Sequence, residues 1–362
     1  MRRAESIALI FALALNFLAV ITFQKGSFQV KALPLFIASL IVVSWIIGRS
    51  SDIFVAGLED VARDLGFPSY SMGVLSSLAS TIPELTMTLM AVAKGTAEMV
   101  EVAIIASLSS VGMGILLISS VTFISSLKSG KASIEVPREV LTEELNAVVF
   151  TLSAYLVLSL LALAHMGLGE EGSSLMPKGV GIILTVVYIS YLLRLFFSGK
   201  GEEEGEGRRD KADIGEIKIS YSIIKLIIGL FGILLAGWLI VSLTETLISR
   251  TGFKAVHAAL ALAAVGTLPE HGVAIVCAAK GKIDLALGNT IGGLSQIALL
   301  VVGLIASLAP VPIDAYVTTQ FAVTSASMLM LKFFVRDDGK IDVGEALMMV
   351  ALQILAFDVL LS

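Results

Sequence analysis

The stretch GTLPEHGVAIV, residues 266–276, places Pro269, Glu270 and His271 inside an almost unbroken apolar run, and residues 80–90, STIPELTMTLM, repeat its Pro-Glu pair. The offset of 186 residues that carries Glu84 onto Glu270 acts over a longer region, without a gap from Glu59 through Ser109. It carries Glu59 onto Glu245, Gly66-Phe67 onto Gly252-Phe253, Thr81 onto Thr267, Pro83 onto Pro269, Lys94-Gly95 onto Lys280-Gly281 and Leu108-Ser109 onto Leu294-Ser295. Leucines and alanines coincide by chance in any two apolar helices, but shared Gly-Phe, Pro-Glu and Lys-Gly pairs at one offset mark a duplication.

The chain around this duplication is built for lipid. Of its 362 residues, 56% are apolar and 15% charged, and the mean hydropathy of +0.94 exceeds what a soluble domain carries. Helix-length windows without charge, in place of alternating polar and apolar residues, exclude an outer-membrane barrel. The single cysteine, Cys277, excludes a disulfide framework and a zinc-type cysteine cluster, and reads as a packing residue. A net charge of −5 with no basic stripe among aromatics offers nothing to nucleic acid. The opening MRRAESIALIFALALNFLAVITF is longer than a signal-peptide core and lacks a small-x-small cleavage site, so it reads as a retained first span.

Cutting the chain where charges, Gly and Pro interrupt apolar runs of about 20 residues predicts an all-α membrane protein of about eleven transmembrane helices. The predicted spans are 5–23, 32–50, 69–93, 98–125, 146–166, 179–197, 220–248, 255–279, 283–308, 314–334 and 342–360. The organisation that follows is an accessory N-terminal helix (1–31), a first repeat of about five helices (32–197), an acidic linker (198–219) and a second repeat of about five (220–362). Lys and Arg are concentrated in the loops on the side of the N-terminus, which predicts a cytoplasmic N-terminus and linker and an external C-terminus. An odd number of crossings per repeat inserts the second upside down relative to the first. Inverted halves meet near the bilayer midplane, where secondary transporters bind substrate on broken helices.

Pro83 and Pro269 each lie about midway along a span, where proline removes a backbone hydrogen bond and crowds the carbonyl four residues earlier, at Ala79 and Val265. Each kink thus sets carbonyl oxygens beside a carboxylate, an arrangement tolerated in a membrane where it lines a cavity or holds a cation. An ionised carboxylate at the bilayer centre costs ~3 kcal/mol on insertion scales. Two facing carboxylates require a cation or protons to neutralise them, and each raises the other's proton affinity. When a divalent cation leaves, protons take its place, which is a mechanism of exchange.

The helices that follow supply neutral oxygens: Ser107, Ser109 and Ser110 in the first repeat, and Asn289, Ser295 and Gln296 in the second. Such an oxygen set suits calcium, and no sulfur or multi-histidine set argues for zinc or copper. A non-enzymatic reading follows from what is missing, since no protease constellation or H-E-x-x-H motif is present. Glu270 and His271, adjacent on a helix, point about 100° apart and cannot chelate one metal together.

These residues resemble a known group. The paired Pro-Glu turns, and above all PEHGVAIVCAAKGKIDLALGNTIGGLSQIALL from Pro269 to Leu300, are similar to the repeats of the calcium:cation antiporter superfamily and, within it, of the cation/proton exchanger branch. The resemblance implies ten core helices plus an accessory first helix, calcium held between Glu84 and Glu270 as transported ligand, and no cofactor. It implies further site-lining positions at Thr81, Thr267, Ser107, Ser110 and Gln296, with His271 beside the second glutamate assisting proton coupling. The partners implied are calcium, protons and the lipid bilayer of the cell membrane, and self-association into a homo-oligomer stays open.

The chain departs from the pattern in the first repeat, where Ser80-Thr81-Ile82-Pro83-Glu84 replaces Gly-Asn-Ala-Pro-Glu and residues 109–114 lack an asparagine. Leu294, Ser295 and Gln296 add no third carboxylate, which favours protons over sodium as counter-ion. The alternative is a sodium/calcium or other cation exchanger of the same fold.

Overall fold

The computed structural model describes the backbone of residues 33–65, 78–137, 144–167, 174–198 and 216–361. The predicted first span and residues 199–215 of the linker lie outside the described residues, as do the side chains of Pro269 and Glu270. The architecture is helical: α1 (Leu33–Asp64), α2 (Ile82–Ala93), α3 (Ala97–Ser129), α4 (Leu145–Gly167), α5 (Lys178–Ser198), α6 (Glu216–Thr251), α7 (Ala255–Ala279), α8 (Ile283–Ser295), a π-helix (Gln296–Val301), α9 (Val302–Leu308), α10 (Ala315–Asp338) and α11 (Val343–Leu361). Six stretches among the described residues are long and apolar enough to cross a membrane, in α1, α3, α4, α6, Ile283–Leu308 and α11. The chain is an integral, multi-pass membrane protein.

The duplication is written into the helix boundaries. The offset that joins Glu84 to Glu270 carries Ala93, the end of α2, onto Ala279, the end of α7, and Ala97, the start of α3, onto Ile283, the start of α8. Between them Gly95 and Gly281 both take left-handed backbone, with φ of 75° and 79°, a conformation that a side chain disfavours. The shared Lys-Gly pair is therefore a helix stop used twice.

The described residues form two compact units, and each takes segments from both halves of the chain. In the first, which holds the residues up to Met87 and Ile189–Thr251, α1 packs along α6. Asp60 of α1 accepts a hydrogen bond from Lys225 Nζ of α6 at 2.7 Å, and that ammonium lies 4.9 Å from the centre of the Tyr221 ring. The sequence reading ended the span of α1 at residue 50, but the helix runs on to Asp64. Arg49–Asp52 and Arg63–Asp60 pairs, three residues apart at 3.2 and 3.4 Å, carry it past the charges that looked like a terminus.

In the second unit, Thr88–Tyr188 and Gly252–Ser362, α3 is the central element. Every residue from Val102 to Gly112 is buried, so its environment is apolar all round, as expected of a helix enclosed by others. Thr96 accepts the Met99 amide at the N-terminus of α3, and Gly130, at φ 67°, ends it. Helices α7, α8, α10 and α11 pack on α3, and α4 packs on α10. At the far ends of α3 and α7, Lys128 Nζ donates to the Ala279 carbonyl at 2.7 Å, placing a cation on a helix C-terminus. Among the described residues two short antiparallel ladders tie the halves of the sequence together: β1 (Ser133–Glu135) pairs with β4 (Lys340–Asp342), and β2 (Ser174–Leu175) with β3 (Pro312–Ile313).

Candidate functional site

The two Pro-Glu segments differ in backbone. In the first, a helical turn over residues 78–80 stops at Thr81, and α2 starts afresh at Ile82. Pro83 falls in the first turn of α2, where an amide has no partner within the helix and its loss costs little. Thr81 immediately precedes α2, its carbonyl accepting the Leu85 amide at 3.0 Å. Glu84 lies in that first turn, with 2% of its surface exposed, where the positive end of the helix dipole favours a carboxylate. In the second segment the helical backbone of α7 continues through Pro269 from Ala255 to Ala279. The helix break expected at both prolines is therefore present at Thr81–Ile82 and absent at Pro269. Pro269 nonetheless has no amide to offer the Val265 carbonyl.

Thr267 and His271, one turn apart on α7, are brought against the middle of α3. The Thr267 hydroxyl donates back to the Ala263 carbonyl at 3.0 Å and lies 3.6 Å from Met113 Sδ. His271 Nδ1 is 2.7 Å from the Thr267 carbonyl oxygen, and its Nε2 is 3.0 Å from that of Met113. Both neighbours are acceptors, so a neutral imidazole donates at one contact and a doubly protonated ring at both. His271 thus bridges α7 to the α3 backbone through a contact whose strength depends on its proton count.

The predicted hydroxyl and amide positions lie on the two most enclosed helical stretches. Ser107 is buried and donates to the Ala103 carbonyl at 2.8 Å, and Ser110 is buried three residues on. Ser109 and Ser295, equivalent under the repeat offset, are fully buried, and among the described residues neither hydroxyl has a hydrogen-bond partner. Membrane interiors rarely leave a donor in that condition. Asn289 is half-buried on α8, whereas Gln296, which opens the π-helix, is 5% exposed. Among the described residues no group of three or more His, Cys, Asp or Glu could hold a metal ion.

Three features were not foreseen from sequence: the Met113 carbonyl as partner of His271, the π-helix after Gln296, and the buried phenol of Tyr155, which donates to the Ala298 carbonyl within it. The last carried a signal, because a tyrosine in the middle of an apolar span, TLSAYLVLSL, needs a partner for its hydroxyl.

Comparison with known proteins agrees with this architecture. The family model described as "Sodium/calcium exchanger protein" matches residues 31–197 and 221–357, nearly the whole chain on either side of the linker. The CaxA protein of Alkalimonas amylolytica is 26% identical over 285 residues, which cover 77% of this chain and 81% of that protein. The vacuolar cation/proton exchanger 2 of Oryza sativa subsp. japonica is 33% identical over 130 residues, 33% of this chain, and the match spans 29% of the rice protein's length. A crystal structure of an H+/Ca2+ exchanger, CAX, superposes with a TM-score of 0.71 at 17% identity, covering 99% of this chain and 89% of that one. The chain belongs to the sodium/calcium exchanger family, a family of transporters.

Proposed function

We propose that the protein is a secondary antiporter that moves calcium out of the cytoplasm in exchange for external protons, through a site that joins Glu84 and Glu270 near the bilayer midplane. The observation that carries this reading is Glu84: a carboxylate 2% exposed, on the first turn of an apolar helix, with a twin at the equivalent position of the second repeat. Two such groups in a low-dielectric interior are neutralised either by one divalent cation or by protons, and the two fillings exclude each other. Around them Thr81, Thr267, Ser107, Ser110, Asn289 and Gln296 supply neutral oxygens, as a six- to eight-coordinate calcium ion requires.

His271 assists the proton half of the cycle, since gain of a proton on its ring adds a donor between α7 and α3 and its loss removes one. The absence of a third carboxylate at Leu294–Gln296 favours protons over sodium, and the name of the matched family keeps sodium as the second reading. In this reading the protein sits in the cell membrane with its N-terminus and acidic linker cytoplasmic and its C-terminus outside.

Inside-out vesicles separate the two counter-ions. An acid-inside pH gradient is expected to drive accumulation of radioactive calcium at least tenfold over a protonophore-treated control, and an outward sodium gradient at uniform pH to drive none. Uptake that follows sodium and ignores pH would overturn the proton reading and leave the exchanger reading standing.

A further inference from the structure

The turn that begins at Gln296 is not an α-helix. In α geometry the Val302 amide would donate to the Ala298 carbonyl, four residues back; here it is directed to the carbonyls of Ile297 and Leu299. The Ala298 carbonyl is thereby released from its usual helical donor. Tyr155, reaching in from α4, donates its hydroxyl to that oxygen. The ring is also held by packing: its centre lies 5.2 Å from that of Phe321 on α10, with both residues fully buried.

A π-turn holds one more residue than an α-turn, so the side chains before it are rotated by about 100° relative to those after it. The direction of Gln296 relative to α9 is therefore set by whether Val302 bonds to Ile297 or to Ala298. In the first arrangement the Ala298 carbonyl loses the Val302 amide and the Tyr155 hydroxyl supplies a donor in its place, since a buried carbonyl without one is costly in an apolar interior.

We propose that Tyr155 is a positioning residue for cation transport: its hydroxyl takes the Ala298 carbonyl, stabilises the π-turn and so fixes the direction of the Gln296 amide at the transported ion. This rests on Gln296 belonging to the cation site. Without the hydroxyl the turn relaxes toward α bonding and swings the amide away, while the ring contact with Phe321 keeps the helices packed.

Tyr155→Phe removes one oxygen and leaves the ring. In proteoliposomes its KM for calcium is expected to rise about tenfold, equivalent to ~1.4 kcal/mol, with the maximal rate within twofold of the unmodified protein. Introduced into Gln296→Ala, which itself raises KM, Tyr155→Phe is expected to change KM less than twofold, because its effect passes through that side chain. The proposal is overturned if Tyr155→Phe leaves KM within twofold of the unmodified protein while Gln296→Ala raises it, or if the full rise persists in the Gln296→Ala background. An unchanged KM in Gln296→Ala overturns both this inference and the assignment of Gln296 to the site. If Tyr155→Phe does not accumulate in the membrane, Phe321→Leu tests the same point by loosening the phenol: a raised KM at unchanged maximal rate supports the proposal, and an unchanged KM overturns it.

Discussion

Glu270→Gln and Glu84→Gln each reduce calcium transport by at least a hundredfold, equivalent to ~2.7 kcal/mol, in protein that still elutes as a single species in detergent. Glutamine keeps the shape of the side chain and removes its negative charge, so it imitates a glutamate locked in its protonated form. If two carboxylates alternate between one calcium ion and protons, a half-site that is always neutral can neither attract the ion nor release a proton. Both steps of the cycle then fail together. The repeat makes the prediction symmetric: the two variants fail to a similar degree, and the double variant is scarcely worse than either, because the residues act as a unit. Transport assays on matched amounts of the three proteins check this. A glutamate whose replacement leaves more than a tenth of the activity has no place in the site.

Gly181→Ala destabilises the protein by about 3 kcal/mol, at the upper end of the range for overpacking, whereas Gly179→Ala, two residues earlier on α5, changes it by less than about 0.5 kcal/mol. A methyl carbon at Gly181 would lie 2.5 Å from the Ser307 nitrogen, 2.6 Å from the Gly303 oxygen and 2.7 Å from the Ala306 carbonyl carbon. All three are backbone atoms of α9, so no rotamer change relieves the clash and the helix must move away. The reverse substitution at Gly303 meets the Thr185 amide nitrogen at 2.9 Å. Nothing lies within 4 Å of a methyl carbon at Gly179, and alanine is the better helix former. Because α9 follows directly on the π-helix, its displacement also disturbs the turn that carries Gln296, and calcium transport falls with stability in Gly181→Ala. Thermal unfolding in detergent, measured on both variants, distinguishes this tight contact from a general intolerance of α5.

Much of the fold was legible because its punctuation is local. The span read as 255–279 coincides with α7, flanked by Lys254 and Lys280 with Gly281 just beyond, and the predicted 342–360 lies within one residue of α11, which follows the Asp342–Glu345 reciprocal cap. The Pro-Glu repeat singled out Glu84, Glu270, Thr267 and His271 as candidates, because an apolar background makes isolated polar residues conspicuous.

Other features depend on partners distant in sequence. The stretch 283–308 reads as one span, and its change from α to π bonding at Gln296 leaves no mark in QIALLV. The released Ala298 carbonyl is received by Tyr155, 143 residues earlier. His271 likewise finds Met113 across 158 residues. The difference between the two prolines was also hidden, since identical Thr-x-Pro-Glu spacing begins a helix at Ile82 and lies within one at Pro269.

The two-carboxylate site is tested most directly by diffraction from crystals soaked in strontium, which replaces calcium and scatters anomalously. A single anomalous peak within about 2.3–2.6 Å of oxygens from both Glu84 and Glu270, lost in Glu270→Gln, is the predicted result. A peak bound by only one of these carboxylates, or one that persists unchanged in Glu270→Gln, would contradict it.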